Sequence, residues 1–260
     1  MALTGIFDSH SHYNDEDFDA DLPQVVEMLR QNGVCGAVNV GYNAAASQKA
    51  RQLCEQYPGF FWYSAGIHPY DAGEAADGDL DVIRDLANDP RCVAVGEIGL
   101  DYFRDLCPKD RQKAYFEAQL SLAEKLCKPV IIHTRDATKD TLDILSRHTA
   151  RGVVHCFSGS AETAKELVLQ GWHIGFTGVV TFKNARKILE AAKAVPVERL
   201  LLETDCPYMA PVPHRGKRCT SDMIAWTAQA IAGLKGVSAQ ELVDAARANT
   251  LRLFGIESNA

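Results

Sequence analysis

The sequence has 260 residues, of which 47% are hydrophobic and 23% are charged, and its formal net charge is −7. This length suits one α/β barrel or two smaller domains, and the negative charge argues against binding nucleic acid through a broad basic surface. No apolar run reaches the roughly 18 residues that a membrane span needs, and residues 1–5 lack the basic and apolar regions of a secretory signal, so we expect a cytoplasmic protein without a membrane partner.

Short apolar runs alternate along the chain with segments of helical periodicity. The predicted strands cover residues 3–7, 34–40, 60–67, 92–97, 130–133, 153–156, 172–176 and 200–203. The predicted helices between them cover residues 22–32, 44–57, 80–87, 111–126, 138–148, 161–170 and 185–194. Residues 221–254 add two further helices, and the second begins with a capping box between Ser238 and Glu241.

Eight strands that alternate with helices are typical of parallel βαβ units. Eight such units predict an α/β fold of the (β/α)8 TIM-barrel type, a single domain over residues 1–260 with extra C-terminal helices. A doubly wound open sheet is the alternative. It is disfavoured because no Gly-x-Gly-x-x-Gly motif follows the first strand to bind a dinucleotide.

Two histidines follow the first apolar run almost at once. In an extended strand alternate side chains share a face, so His10 and His12 are expected to point the same way. Two imidazoles on one face can bind a single divalent metal ion, although they can also be ordinary polar residues of a loop.

Polar residues recur at the predicted carboxyl ends of the later strands as well. They are His68, Glu97, Asp101, His133, His155, Glu203 and Asp205. In a (β/α)8 barrel these strand ends meet at one mouth, where the active site lies. Because carboxylates and imidazoles are costly to bury together unless they pair or bind metal, the set predicts a metal centre.

Six motifs in chain order carry a resemblance to a known family. They are Asp-Ser-His-Ser-His, Gly-Ile-His-Pro, Gly-Glu-Ile-Gly-Leu-Asp-Tyr, Pro-Val-Ile-Ile-His-Thr-Arg-Asp, His-Cys-Phe-Ser-Gly and Leu-Glu-Thr-Asp-Cys-Pro-Tyr. Together they resemble the TatD-type metal-dependent deoxyribonucleases, a branch of the amidohydrolase-like barrels, from about residue 5 to residue 254.

The resemblance implies a centre with two divalent ions, Mg, Mn or Zn. Its implied ligands are His10, His12, Glu97 and Asp205 for one ion, and Glu97, His133 and His155 for the other. Glu97 has two carboxylate oxygens and can bridge two ions, which an imidazole cannot. Glu97 and Asp205 are therefore the candidate catalytic residues, with Asp205 also the candidate general base for the attacking water.

Further polar residues near these motifs are candidate substrate contacts. They are His68, Tyr102, Arg135, Ser158, His214 and Arg215. The planar fork of Arg135 suits a phosphate oxygen, although a surface salt bridge with Asp136 or Asp140 is the alternative. Ser158 can contact a phosphate or cap the helix that begins near residue 161.

The loop after the eighth strand departs from the family pattern. Relatives usually continue this basic loop with Asn, a variable residue and Pro, whereas this chain has Cys219, Thr220 and Ser221. The departure affects the expected shape of the substrate loop, not the metal ligands. Asn249 and Phe254 match the usual family ending and are expected to be structural.

These observations predict a metal-dependent hydrolase that cleaves phosphodiester bonds in DNA, as an exonuclease on single-stranded ends, without an obligatory protein partner. An ester or amide hydrolase, such as a D-aminoacyl-tRNA deacylase, is the first alternative. Several amide-cleaving barrels carry a carboxylated lysine on the fourth strand, where this chain has Glu97, which disfavours them. A catalytically silent barrel that only binds is the second alternative, but its signature, a missing ligand, is not found.

Overall fold

A computed structural model describes residues 3–104 and 106–257 of the chain. The strands are β1 (Ile6–Ser11), β2 (Val34–Val40), β3 (Phe61–Ala65), β4 (Cys92–Asp101), β5 (Val130–Arg135), β6 (Gly152–Val154), β7 (His173–Phe176) and β8 (Leu200–Leu202). The helices are α1 (Leu22–Gln31), α2 (Ala44–Gln56), α3 (Asp79–Ala87), α4 (Lys109–Leu126), α5 (Thr138–Leu145), α6 (Ala161–Leu169), α7 (Arg186–Ala194), α8 (Ile224–Lys235) and α9 (Ala239–Phe254).

The eight strands belong to one sheet in the order β1 to β8, and helices alternate with them. This confirms the predicted (β/α)8 fold, and two helices follow β8 as expected. Contacts within the chain define two compact units, residues 1–38 with 156–260 and residues 39–155. That residues 1–260 form a single domain stays a prediction. No helix among the described residues is long and apolar enough to cross a bilayer.

The unit of residues 1–38 and 156–260 contains β1, β7 and β8. Strand β7 pairs in parallel with β8, and a parallel bridge between Ser11 and Cys206 places the chain after β8 beside β1. The strand β1 runs further than predicted, to Ser11, because its serines are buried with their hydroxyls satisfied. Ser9 donates to the Leu202 carbonyl at 3.2 Å and Ser11 to the Val38 carbonyl at 2.8 Å.

Helix α9 closes this unit and begins with the predicted capping box. The Ser238 hydroxyl accepts from the Glu241 amide at 3.2 Å, while the Glu241 carboxylate accepts from the Ser238 amide at 2.8 Å. The buried Asn249 on the same helix donates to the carbonyls of Val197 and Leu200 at 2.7 and 3.0 Å. The amide of Asn249 therefore attaches α9 to the start of β8.

We expect Asn249→Ala to lower the free energy of unfolding by about 2–3 kcal/mol, because two buried carbonyls would lose their hydrogen-bond donor. Urea unfolding followed by circular dichroism measures the effect. Asn184→Ala, at an exposed asparagine, serves as the matched control. Equal unfolding midpoints for the two variants would contradict the structural role of Asn249.

The unit of residues 39–155 contains β3 to β6 in parallel register. Strand β4 continues four residues past its predicted end, pairing Gly99 with His133 and Asp101 with Arg135. Gly99 has φ +143°, and a Cβ at this position would lie 2.0 Å from the His133 carbonyl oxygen. Glycine at this position therefore lets β4 approach β5 closely, next to the predicted ligand His133.

Candidate metal centre

Three predicted ligands come together in the unit of residues 1–38 and 156–260, and we call them the Asp205 cluster. The Nε2 atoms of His10 and His12 lie 3.1 Å apart. The Asp205 Oδ1 atom lies 3.5 Å from the first nitrogen and 3.2 Å from the second. All three residues are largely buried, so their donor atoms converge in a place with little access to bulk water.

Backbone hydrogen bonds between β1 and the chain after β8 position this cluster. The Asp205 amide donates to the His10 carbonyl at 3.0 Å, and the His12 amide donates to the Cys206 carbonyl at 2.9 Å. Asp205 has φ +63°, a left-handed conformation that Asp tolerates better than most residues. This turn is what directs its carboxylate back towards the two imidazoles.

A second buried carboxylate, Asp8, accepts hydrogen bonds that hold the same segment in place. It accepts from the hydroxyls of Thr204 and Ser221 at 2.5 and 2.7 Å and from the His10 amide at 3.1 Å. The Ser221 amide also donates to the Tyr13 hydroxyl at 2.9 Å. The serine that replaces the usual proline in this loop thus supplies two donors to the buried network under β1.

Three further predicted ligands form a cluster in the unit of residues 39–155, which we call the Glu97 cluster. Glu97 Oε1 lies 2.9 Å from His133 Nδ1 and 2.7 Å from His155 Nε2. The two imidazole nitrogens are 3.3 Å apart. Burial by itself favours the neutral acid, but the surrounding imidazoles outweigh it and hold the pKa of Glu97 well below its usual range.

The second ring nitrogen of His133 is occupied by Asp101. His133 Nε2 lies 3.0 Å from Asp101 Oδ2, which also accepts from the Tyr70 hydroxyl at 2.5 Å. Burial opposes ionisation of Asp101, but these hydrogen bonds prevail and lower its pKa to about 2. An ionised Asp101 holds the imidazole proton on Nε2 and leaves the Nδ1 lone pair directed at Glu97, the arrangement that orients metal-ligating histidines.

Removing this partner should weaken metal binding. We expect Asp101→Ala to reduce divalent-ion affinity by about 10- to 100-fold, since the orientation and proton position of His133 are no longer fixed. Competition with a chromophoric chelator measures the affinity. Tyr70→Phe, which removes one of the hydrogen bonds to Asp101, should have a smaller effect, and unchanged affinity in Asp101→Ala would contradict the assignment.

His68 lies beside the Glu97 cluster, with its Nε2 atom 3.8 Å from Glu97 Oε1. Its Nδ1 atom accepts from the Tyr70 amide at 3.1 Å, and burial lowers the pKa of the ring to about 3. The neutral imidazole therefore carries its proton on Nε2. His68, Glu97 and His133 also form a group whose ligand atoms lie close enough together to share one ion.

The donor atoms of both clusters fit divalent ions. Atoms about 2.1 Å from one ion lie roughly 3.0 Å apart in an octahedral shell and roughly 3.4 Å apart in a tetrahedral one. The separations in the Asp205 cluster are 3.1 to 3.5 Å and those in the Glu97 cluster 2.7 to 3.3 Å. Two imidazole nitrogens with one carboxylate oxygen in each cluster suit Zn or Mn and, with added water, Mg.

The predicted substrate contacts have different surroundings in the structure. Arg135 is exposed, and its guanidinium stacks 3.7 Å over the ring of Phe103. Among the described residues no salt bridge joins Arg135 to Asp136 or Asp140, and Asp140 pairs with Lys113 instead, at 2.7 Å. The Tyr102 hydroxyl donates to Asp140 at 2.8 Å and is directed towards helix α5.

The remaining predicted contacts lie in the unit of residues 1–38 and 156–260. Ser158 is exposed, and the cap of α6 is Ser160, so the alternative capping role for Ser158 is wrong. The His214 ring packs 5.5 Å from Trp226, and Arg215 lies 4.2 Å over the Phe182 ring. No pattern in the sequence indicates Tyr70, Phe103 or Phe182, because their roles depend on neighbours distant in the chain.

Comparison with known proteins gives a consistent result over nearly the whole chain. The family model described as TatD related DNase matches residues 7–255. The uncharacterized metal-dependent hydrolase YabD of Bacillus subtilis (strain 168) is 41% identical over 254 residues, which cover 96% of this chain and 99% of that protein. The 3'-5' ssDNA/RNA exonuclease TatD of Erwinia billingiae (strain Eb661) is 35% identical over 257 residues, 96% of this chain and 98% of the relative.

A solved structure shows the same fold. The crystal structure of YJJV, a TatD homolog from Escherichia coli K12, matches with a TM-score of 0.91 at 30% identity. The match covers 97% of this chain and 98% of that one.

Proposed function

Because the chain belongs to the family of TatD-related DNases, we propose that it is a divalent-metal-dependent nuclease that hydrolyses phosphodiester bonds of DNA from single-stranded ends. One observation carries this proposal: in each compact unit two imidazole nitrogens and one carboxylate oxygen converge at the spacing of a metal shell. The exonuclease name of the Erwinia relative supports action on strand ends.

The proposed ligands are the residues of the two clusters. His10, His12 and Asp205 would hold one ion, and Glu97, His133 and His155 the other. When bound, such ions polarise a phosphodiester and make water a better nucleophile. The bridging position that the family resemblance implies for Glu97 stays a prediction.

The side chains supply positioning and proton transfer. Asp205, whose second oxygen is not the one nearest the imidazoles, can accept a proton from the attacking water. Arg135 can donate its planar fork to a phosphate oxygen, because stacking on Phe103 already orders it. His68 can donate from Nε2, and Tyr102, Ser158, His214 and Arg215 remain proposed substrate contacts.

The experiment that tests the proposal uses metal-stripped protein. Single-stranded DNA labelled at the 5′ or the 3′ end is incubated with the protein while Mg²⁺, Mn²⁺ or Zn²⁺ is titrated, beside RNA of the same sequence and a blunt duplex. Metal-dependent cleavage of single strands is the expected result. The label that is released first as a mononucleotide marks the end at which cleavage starts, and the strand labelled at the other end gives a ladder.

If DNA and RNA both stay intact in the presence of metal-loaded protein, the proposed nuclease function is wrong. The same samples are therefore assayed on D-aminoacyl-tRNA, where release of the amino acid would indicate the deacylase instead. A cytoplasmic location and independence from a protein partner stay predictions of the sequence.

A further inference from the structure

The loop after β8 borders an open cavity of about 470 Å³ in the unit of residues 1–38 and 156–260. We call it the loop cavity. Its walls include Asp17, Phe182, Tyr208, Arg215, Lys217 and Arg218. The loop begins at the Asp205 cluster, since the Tyr208 amide donates to the Asp205 carbonyl at 3.0 Å. A ligand in the loop cavity would therefore lie one turn of chain from a proposed metal ligand.

Two aromatic rings and an exposed thioether supply the apolar part of the wall. The Tyr208 side chain is 54% exposed and Met209 is 38% exposed, both unusual for large apolar groups beside a buried centre. The Tyr208 hydroxyl donates to Asp15 at 3.0 Å, which fixes the direction of the ring. An ordered, exposed ring is a surface on which a planar ligand can stack.

Three cations line the wall. Arg218 is bound by other protein groups, whereas Arg215 and Lys217 are exposed to solvent. Arg218 is held by Asp21, at 2.9 and 2.6 Å, and by the Asp17 carbonyl. Arg215 is exposed and rests on the Phe182 ring, and Lys217 is exposed with no ion pair among the residues that the structure describes. Asp17 lies on the same wall and Asp15 accepts from Tyr208, so the part of the wall at Arg215 and Lys217 is the part that favours an anionic group.

A ligand with both a planar apolar part and a negative charge meets these requirements. A nucleotide is such a ligand, and a cavity of this volume lies in the range of small-ligand pockets. A base that is paired and stacked in a duplex cannot lie flat on a protein ring, whereas an unpaired base can.

We propose that the loop cavity binds one nucleotide of a single-stranded substrate, with its base stacked on Tyr208 and its phosphate facing Lys217 and Arg215. The proposal rests on the proposed nuclease function and deepens it. Selection of single strands then comes from this subsite, because only an unpaired base can occupy it.

Binding tests the subsite separately from cleavage. Fluorescein-labelled dT5 is titrated with the full chain in EDTA, where metal-dependent cleavage is absent, and anisotropy gives the Kd. Tyr208→Leu should weaken binding by about 10-fold or more, whereas Tyr208→Phe keeps the ring and most of the affinity. Equal affinity of the wild type and Tyr208→Leu overturns the proposal, whether or not the protein cleaves DNA.

Salt dependence tests the position of the phosphate. Lys217→Gln should reduce the slope of log Kd against log salt concentration by about 0.7, the value for one phosphate contact on a single strand. Lys187→Gln, an exposed lysine of α7 outside the cavity, serves as the matched control. Equal slopes for the two variants would show that Lys217 does not contact the phosphate in the subsite.

Kinetics separate this proposal from the nuclease function. With metal present, kcat/KM is compared on dT5 and on methyl p-nitrophenyl phosphate, a phosphodiester without a base. The ratio of the two values should fall by about 10-fold in Tyr208→Leu and persist in Lys187→Gln. Wild-type protein that cleaves neither substrate refutes the nuclease, whereas an unchanged ratio in Tyr208→Leu refutes only the subsite.

Discussion

Replacing Glu97 with alanine is expected to abolish metal-dependent cleavage of single-stranded DNA, with a fall in kcat of at least about 10³-fold, which corresponds to roughly 4 kcal/mol of transition-state stabilisation. Glu97 Oε1 is the common neighbour of His133 and His155, at 2.9 and 2.7 Å. Its loss leaves the imidazoles of His133 and His155 without the carboxylate that would bind a divalent ion beside them. Single-turnover cleavage of labelled DNA at saturating metal measures the effect.

The matched control is Glu117→Ala, which removes a surface carboxylate in the same compact unit, one that pairs with Arg147. Metal content per chain is determined for both variants, and circular dichroism establishes that each is folded. Cleavage by Glu97→Ala at the wild-type rate, with the wild-type metal content, would exclude Glu97 from the centre.

Much of the fold follows from patterns that are local in the chain. Apolar runs of four to eight residues bounded by turn residues predict buried strands, and helical spacing predicts the segments between them. Most predicted ends agree with the structure within a few residues, and β2 agrees at both ends. The differences occur where tertiary contacts decide. Strand β1 runs on to Ser11, whose hydroxyl donates to the Val38 carbonyl of β2, and β4 runs on to Asp101, whose amide donates to the Gln112 side chain of α4.

The sequence predicted which polar residues come together within each compact unit, but not which neighbours hold them in place. His10 and Asp205 converge in one compact unit and His133 lies beside Glu97 in the other, while their assignment as ligands rests on the family resemblance. The contact between Asp101 and Tyr70 joins residues 31 positions apart, and no periodicity encodes it. The Tyr102 hydroxyl likewise donates to Asp140 on α5, a partner that the motif does not indicate, and its contact with substrate stays a prediction.

The unusual Cys219, Thr220 and Ser221 segment illustrates how a departure from a family pattern can be accommodated. Cys219 is buried, and its amide donates to the Pro207 carbonyl at 2.9 Å. The Ser221 hydroxyl donates a hydrogen bond to Asp8, and Asp8 in turn accepts from the His10 amide of β1. The segment therefore supports the backbone of the Asp205 cluster through hydrogen bonds.

Asp205 should combine two roles that one pair of substitutions can separate. Asp205→Asn keeps an oxygen of similar position but cannot accept a proton at neutral pH, so we expect kcat on single-stranded DNA to fall by about 10² to 10⁴-fold. His12→Ala removes a proposed ligand 3.2 Å from Asp205 Oδ1 and leaves the carboxylate in place. Rates of both variants are measured while the divalent ion is raised to saturation.

The dependence on metal concentration then distinguishes a ligand from a base. If Asp205 only binds metal, excess ion should restore both variants towards the wild-type rate, because mass action compensates for weakened affinity. If Asp205 also accepts the proton of the attacking water, excess ion should restore His12→Ala while Asp205→Asn stays slow with a full complement of metal. If the rate of Asp205→Asn recovers at high metal concentration, Asp205 is not the general base and acts only as a metal ligand.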